Sequence, residues 1–423
     1  MELSVPNMLL AAKQCEIQEL KHLGVTAHLV GAVGHLVHAL QSERGASTIF
    51  LASSGRRFEA TREKLIEESR SLELRVRSSF EQQLANPAFG SARRFSLMAW
   101  VLLGLDSLAE LREQIAHQRL SPERAVAAFS RLIAGLVSVI FEAADAAFDP
   151  SISRALVALF NFIQGKEQTG QERAVGALSF ASGICDRQHQ QRLLHLIDAQ
   201  ERCFKSFVDF ADEEGLRHWR ALQDTPVVAR LERLRRILGS TQPGAALDVN
   251  LSDEWFECCT ERLNQMWQLQ IQLVEGLQKR SDILILEAEK DLQNSAGLLN
   301  HLMARPPECT RAVDRFFDPD ARIDAALTAP PNGEIGTQLG HLTMELLQVQ
   351  SDRLARMENE LESTRRALNE RKIIERAKGL LMARLRVSEE AAYKLLRQTS
   401  MDQNRRMVDV AEAALSLPDF IAP

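Results

Sequence analysis

Aromatic residues are scarce in this chain: 18 Phe, 4 Trp and a single Tyr amount to 5% of 423 positions. Strands draw on Tyr, Trp, Thr and β-branched residues, so the scarcity disfavours an all-β fold. It equally disfavours RNA readers that stack bases on sheet-borne aromatics. Cysteine is sparse too. Cys15, Cys185, Cys203, Cys258, Cys259 and Cys309 form no C-x-x-C pair, and a reduced, cytoplasmic chain is the expectation. No stretch approaches the roughly 18 uninterrupted apolar residues of a membrane helix. The start, MELSVPNMLLAAKQCEIQEL, lacks a basic region followed by a sustained apolar run. No membrane partner is therefore expected.

Catalytic signatures are missing as well. There is no G-x-x-x-x-G-K, no G-x-S-x-G and no helical H-E-x-x-H. No βαβ receiver pattern is present, so receiver-type phosphorylation is not the expected input. His28, His35 and His38 follow a helical spacing, but no carboxylate or cysteine joins them at ligand spacing, and His189 and His195 fare no better. Core or surface histidines are favoured over a metal site. Neither an enzyme nor a cofactor is expected.

What the chain does have is helical periodicity. Leu29, Val33, Leu36, Val37 and Leu40 repeat at three and four, as do Phe129, Leu132, Leu136 and Ile140. Leu102, Leu105, Leu108 and Leu111 read as one further helix. Ser121-Pro122-Glu123 is a helix start, with a cap, a proline at the first position and an acid in the first turn. Ser252 before Asp253 and Glu254 reads as another. About eight long helices between Val25 and Arg280 suffice for two bundles, with breaks near 86–90, 121–122, 149–151 and 239–251. Residues 305–336 hold five of the 13 prolines and read as a linker with one short helix. Beyond it, Leu347, Leu354, Met357, Leu361 and Leu368 form a short heptad seam, either a coiled coil or a solvated connector helix.

Charge is segregated. The net charge is −6, yet residues 365–406 carry twelve Lys and Arg against five acids, near +7, leaving about −13 on the remainder. A basic module on an acidic body suggests nucleic-acid binding, although a solvated helical face explains charge alone. The residues sharpen this. Arg371, Ile374, Glu375, Ala377, Lys378, Gly379, Leu381 and Met382 make R-x-x-I-E-x-A-K-G-x-L-M, and Ser388, Ala392, Tyr393, Leu396 and Arg397 make S-x-x-x-A-Y-x-x-L-R. Three helices follow: one ending near Leu385, one capped by Ser388, and one from about Arg405. Ile374, Leu381, Ala392, Leu395, Leu396, Val408 and Ala411 are the candidate core.

This segment resembles the ANTAR family of three-helix RNA-binding domains found in transcription antiterminators. The resemblance implies binding to leader-RNA stem-loops, so that a terminator cannot form. It assigns Lys378, Arg397 and Arg405 to phosphate or base contacts and offers Tyr393 for stacking. Gly379 would allow close backbone approach. For Tyr393 a partly buried core position, and for Gly379 mid-helix packing, are equally open.

Toward the N-terminus stand Glu43-Arg44-Gly45-Ala46-Ser47 and Lys166-Glu167-Gln168-Thr169-Gly170-Gln171-Glu172-Arg173, with WFECCTERLNQMW at 255–267. The E-R-G-x-S and K-E-x-x-G-x-E-R elements resemble the NIT family of all-helical nitrate- and nitrite-sensing domains. A NIT sensor joined to ANTAR is the architecture of nitrate-responsive antiterminators of nitrate assimilation.

Three arginines stand apart even without that resemblance. Arg44 falls on the stripe Val33, Val37, Leu40, Ser47, Leu51; Arg173 on Phe162, Gly170, Ala177, Phe180; Arg235 on Val228, Leu231, Leu238. An inward guanidinium costs several kcal/mol unless paired, so each needs an anion. Nitrate is planar and offers three acceptor oxygens to the guanidinium fork. The alternative is internal pairing with Glu43, Glu167 or Glu172. Arg235 is preferred over Arg233 and Arg236 on helical phase, and Ser47 and Gly170 are candidate pocket residues.

The expectation is an all-α chain: an arm at 1–24, a NIT domain of two bundles at 25–302, a linker at 303–338, a coiled-coil connector at 339–364 and an ANTAR module at 365–418. Its effector would be nitrate or nitrite, its partner leader mRNA, and its assembly a homodimer. A helical dimeric scaffold, or a DNA-binding regulator with no anion input, are the rival readings.

Overall fold

The computed structural model describes residues 5–85, 91–304, 338–387, 389–403 and 405–416. The described residues are helical throughout, apart from an isolated bridge between Ile184 and Ala246. The sensor comprises α1 (Val5–Ala52), α2 (Glu59–Ala85), α3 (Ala92–Asp106), α4 (Leu108–Ala116), α5 (Pro122–Ala146), α6 (Pro150–Ala181), α7 (Arg187–Phe210), α8 (Glu213–Gln223), α9 (Pro226–Ser240) and α10 (Leu251–Ala304). The C-terminal part comprises α11 (Gln338–Leu385), α12 (Glu389–Asp402) and α13 (Met407–Ser416).

Local chemistry sets the boundaries. Ser121 Oγ accepts from the Arg124 amide and caps α5, with Pro122 in the first turn. Asp149 does the same for α6 through the Ile152 amide at 3.0 Å. Two expected starts and stops shift. The Leu102–Leu111 stripe is split at Ser107, whose hydroxyl donates to the Leu103 carbonyl and whose amide reaches Leu103 and Leu105. Ser107 keeps helical dihedrals, so Leu105 and Leu108 still share the buried face. Likewise α10 begins at Leu251, and Ser252 Oγ donates across to the Ala177 carbonyl instead of standing before the helix.

Two bundles share long helices. One core gathers α1, α3, α5 and the first half of α6 around Val33, Leu36, Phe129, Ile133 and Leu156. The other gathers the second half of α6 with α7, α9 and α10 around Phe180, Leu193, Leu231 and Trp255. Helices α6 and α10 contribute residues to both cores. Helices α1 and α5 each contain a window apolar and long enough to cross a membrane, but 78% and 56% of those windows are buried within the protein. Their apolar character belongs to core helices.

The expected boundaries at 24/25 and 364/365 fall well inside continuous helices, and that at 302/303 lies in the last turn of α10. The residue 24/25 division lies within α1, whose first half buries Ile17 and Leu20 against Ala288 of α10. The connector and effector are likewise one helix, α11. Leu368 of the heptad seam is buried in the sensor core and Leu361 is buried too. The side chains of Leu347 and Leu354, the 305–336 linker and Ser388 lie outside the described residues.

The C-terminal helices close a small core of Ala377, Leu396, Val410 and Ala411, with Ile374 and Leu381 packed on it. Ala392 and Val408 are also buried. Leu395 departs from expectation. It is 44% exposed, because Ala392 and Leu396 already occupy the inward face of α12.

Candidate anion sensor and nucleic-acid interface

The two N-terminal motifs face each other across α1 and α6. Glu43 is fully buried and receives Arg112 of α4 through Nε at 2.8 Å and Nη2 at 2.9 Å. Arg44 forks onto Glu167, Nη1 to Oε1 at 2.5 Å and Nη2 to Oε2 at 3.1 Å, and also donates to Ser130 Oγ at 2.7 Å. The glycines make room for the arginine of the opposite helix. A Cβ on Gly45 would lie 3.0 Å from Arg173 Nη2, and one on Gly170 would lie 3.3 Å from Arg44 Nη2. The two guanidiniums thus cross at the α1–α6 contact.

Arg173 differs from the other two. It makes no ion pair among the described residues; Nη1 donates to Thr260 Oγ1 of α10 at 3.0 Å, and the guanidinium stacks on Phe256 at 4.9 Å. Burial lowers its pKa, and the like charge of Arg44 adds to that. On α1, three residues after Arg44, the Ser47 hydroxyl is buried with no protein partner among the described residues. A guanidinium without a carboxylate, opposite a helix with a spare hydroxyl, suits a small anion.

Arg235 is the inward member of its trio, since Arg233 and Arg236 are exposed. It is also fully engaged. Nε and Nη2 each reach Glu172 at 2.6 Å, Nη1 reaches Glu232 at 2.7 Å and Nη2 reaches Gln200 at 3.0 Å. Burial works against its charge, but Glu172 and Glu232 hold its pKa above the ordinary guanidinium value. The internal-pairing alternative therefore describes Arg44 and Arg235 in this state, and Arg173 escapes it.

Lys166 completes the second motif. It is fully buried, lies over the Trp267 ring at 4.7 Å and approaches His38 Nδ1 at 3.4 Å. Burial lowers its pKa to about 7. His38 stacks on Trp267 at 3.9 Å, and His35 meets the same ring edge-on at 5.1 Å, so both serve the core. Buried Arg94, Arg112 and Arg262 went unnoticed in the sequence. For Arg262 a signal existed: it sits on the same α10 face as Cys259 and Met266, one turn from each.

At the effector, three residues assigned to RNA contact the protein itself. Arg397 donates to Asp198 of α7 at 2.9 Å. Tyr393 lies edge-on to His195, with Arg202 over its ring at 4.2 Å. Lys378 is buried and bridges Glu375 and Glu389 at 2.9 and 2.8 Å. Those carboxylates hold its pKa up against burial. Gly379 and Arg405 are exposed, and a Cβ on Gly379 would meet nothing within 4 Å, which removes the mid-helix packing explanation. The docking is extended by Arg371, which donates to Asn161 and to Gln164 at 2.6 Å and stacks on Phe160, and by Lys372 on Asp145 at 2.8 Å. Asn161 and Gln164 stand on α6 just before Lys166–Arg173. One helix carries both the anion motif and the effector clamp.

The nitrate and nitrite sensing (NIT) family matches residues 35–278, more than half of the chain. The chain belongs to the NIT family. An ANTAR domain matches residues 362–414 of this NIT protein. A nitrate regulatory protein of Klebsiella oxytoca is 31% identical over 96% of the chain and 93% of its own length. The solved structure of the NasR transcription antiterminator is similar at 29% identity and a TM-score of 0.61, covering 97% of this chain and 98% of that one.

Proposed function

We propose that the protein is a nitrate- or nitrite-responsive transcription antiterminator, acting in the cytoplasm as a homodimer on the leader RNA of nitrate-assimilation genes. The matches to a sensing domain, a regulatory protein and an antiterminator support this reading over an enzyme. The observation that carries the mechanism is the pairing of two states in one chain. Arg173 is partly buried and makes no ion pair among the described residues, while Arg397 and Tyr393 are occupied by α7.

In this reading the structure corresponds to the off state. Nitrate would bind Arg173 with Thr260 and Ser47 at hand, and would share Arg44 with Glu167. Arg235 reaches the anion only by surrendering Glu172. Drawing Arg44 and Arg173 onto one ligand changes the α1–α6 contact, and α6 carries that change to Asn161 and Gln164, where Arg371 is clamped. Release of the clamp frees Tyr393 and Arg397 for loop bases and phosphates. To turn such a switch from mostly off to mostly on, nitrate must favour the free state by roughly 5 kcal/mol. Several charge-assisted hydrogen bonds supply that.

The test is a single-round transcription assay on a leader template with the full chain. Read-through that rises with nitrate, together with a gel shift of leader RNA but not of duplex DNA of the same sequence, supports the proposal. Preference for the duplex favours a DNA-binding regulator. No response to nitrate favours a scaffold.

A further inference from the structure

Arg262 of α10 lies in the WFECCTERLNQMW stretch, outside the E-R-G-x-S and K-E-x-x-G-x-E-R elements, and is buried, 4% exposed. Its Nε and Nη1 have no protein partner among the described residues. Burial pushes its pKa down, the nearby Arg235 pushes it further, and Glu172 and Glu232 only partly compensate. Those two carboxylates are already committed to Arg235. A buried guanidinium left with open donors is strongly unfavourable in a purely structural role.

The surroundings point to what it awaits. Arg173, Arg235 and Arg262 all act electrostatically on the region of the Cys259 thiol, one helical turn before Arg262. Arg173 reaches the same stretch of α10 through Thr260. The buried Arg44 and Arg262 and the partly buried Arg173 and Arg235 stand against three carboxylates, Glu167, Glu172 and Glu232, so positive charge is in surplus by one. Gln265 Oε1, one turn on, is also unpartnered among the described residues, but a neutral amide leaves the charge uncompensated, which a small oxyanion would offset.

We propose that Arg262 is a further anion-binding residue of the sensor, contributing its free N–H groups to the bound oxyanion alongside Arg173. This rests on the nitrate-responsive reading above. It assigns to α10 a direct part in ligand capture, so that the anion is held by helices from both bundles and not by the α1–α6 contact alone.

The test is isothermal titration of sodium nitrate into the full chain, wild type and Arg262→Met, with thermal denaturation of each without nitrate. The expected result is a loss of nitrate affinity of at least about tenfold, about 1.4 kcal/mol, with a melting temperature equal to or above wild type. Wild-type affinity in Arg262→Met overturns the proposal. If that variant does not fold, Arg262→Lys decides: it keeps the charge but not the fork, so weakened nitrate binding supports the proposal and unchanged binding overturns it. No binding to wild type would instead defeat the nitrate reading itself, and this inference with it.

Discussion

Arg397 of α12 donates from Nη1 to Asp198 Oδ2 of α7 at 2.9 Å, so α7 occupies a cation that the proposed function assigns to RNA. Both partners are about half exposed, so the pair alone is worth about 0–1 kcal/mol. Asp198→Asn is therefore expected to raise RNA affinity in the absence of nitrate by up to about fivefold. Adding Asp145→Asn, which frees Lys372, is expected to raise it further. Fluorescence anisotropy with a labelled leader stem-loop measures both.

Glu172 is fully buried and holds the Arg235 fork. Glu172→Gln leaves a buried guanidinium with only the partly exposed Glu232. A loss of about 3 kcal/mol of stability is expected. Chemical denaturation of the full chain without nitrate would show it as a lower midpoint with an unchanged slope.

Gly45→Ala places a methyl 3.0 Å from Arg173 Nη2, and the guanidinium must give way by a few tenths of an ångström. Alanine's better helix propensity, about 1 kcal/mol, offsets the local cost. Nitrate affinity is thus expected to fall while the melting temperature stays near wild type. Calorimetric titration beside a thermal melt separates the two effects.

Lys166 has a pKa lowered by burial to about 7, against 10.5 when unfolded. Between those values the unfolded chain binds a proton that the folded chain does not, so stability rises with pH across that window. The slope is about 1.4 kcal/mol per pH unit from this group. Below about pH 7 the cost of charging the buried amine is present in full. Lys166→Met is expected to remove that slope and to stabilise the protein most at low pH, read from denaturation midpoints between pH 7 and 10.

The helices were legible because Leu29–Leu40 and Phe129–Ile140 each mark one buried face at a spacing that only a helix satisfies. Helical phase also picks Arg235 out of its trio, since Arg236 lies about 100° and Arg233 about 200° around the helix from it. Partner choice was not legible. Glu167 and Glu172 pair with arginines more than sixty residues away in sequence, so which guanidinium stays free depends on how three helices cross. Arg262 was not legible because it shares its helix with Glu257 and Glu261, where an arginine reads as solvated. The docking of Tyr393 and Arg397 on α7 lay equally beyond reach, because a motif states what a residue can bind and not what occupies it.

The most direct test is the affinity of the full chain for a leader stem-loop RNA with and without nitrate, in wild type and Arg173→Ala. Tighter binding with nitrate in wild type, and basal binding unresponsive to nitrate in Arg173→Ala, is the predicted result. Equal wild-type affinity in both conditions would contradict the account, because a docked Arg397 and an unpaired Arg173 would then not be two ends of one switch.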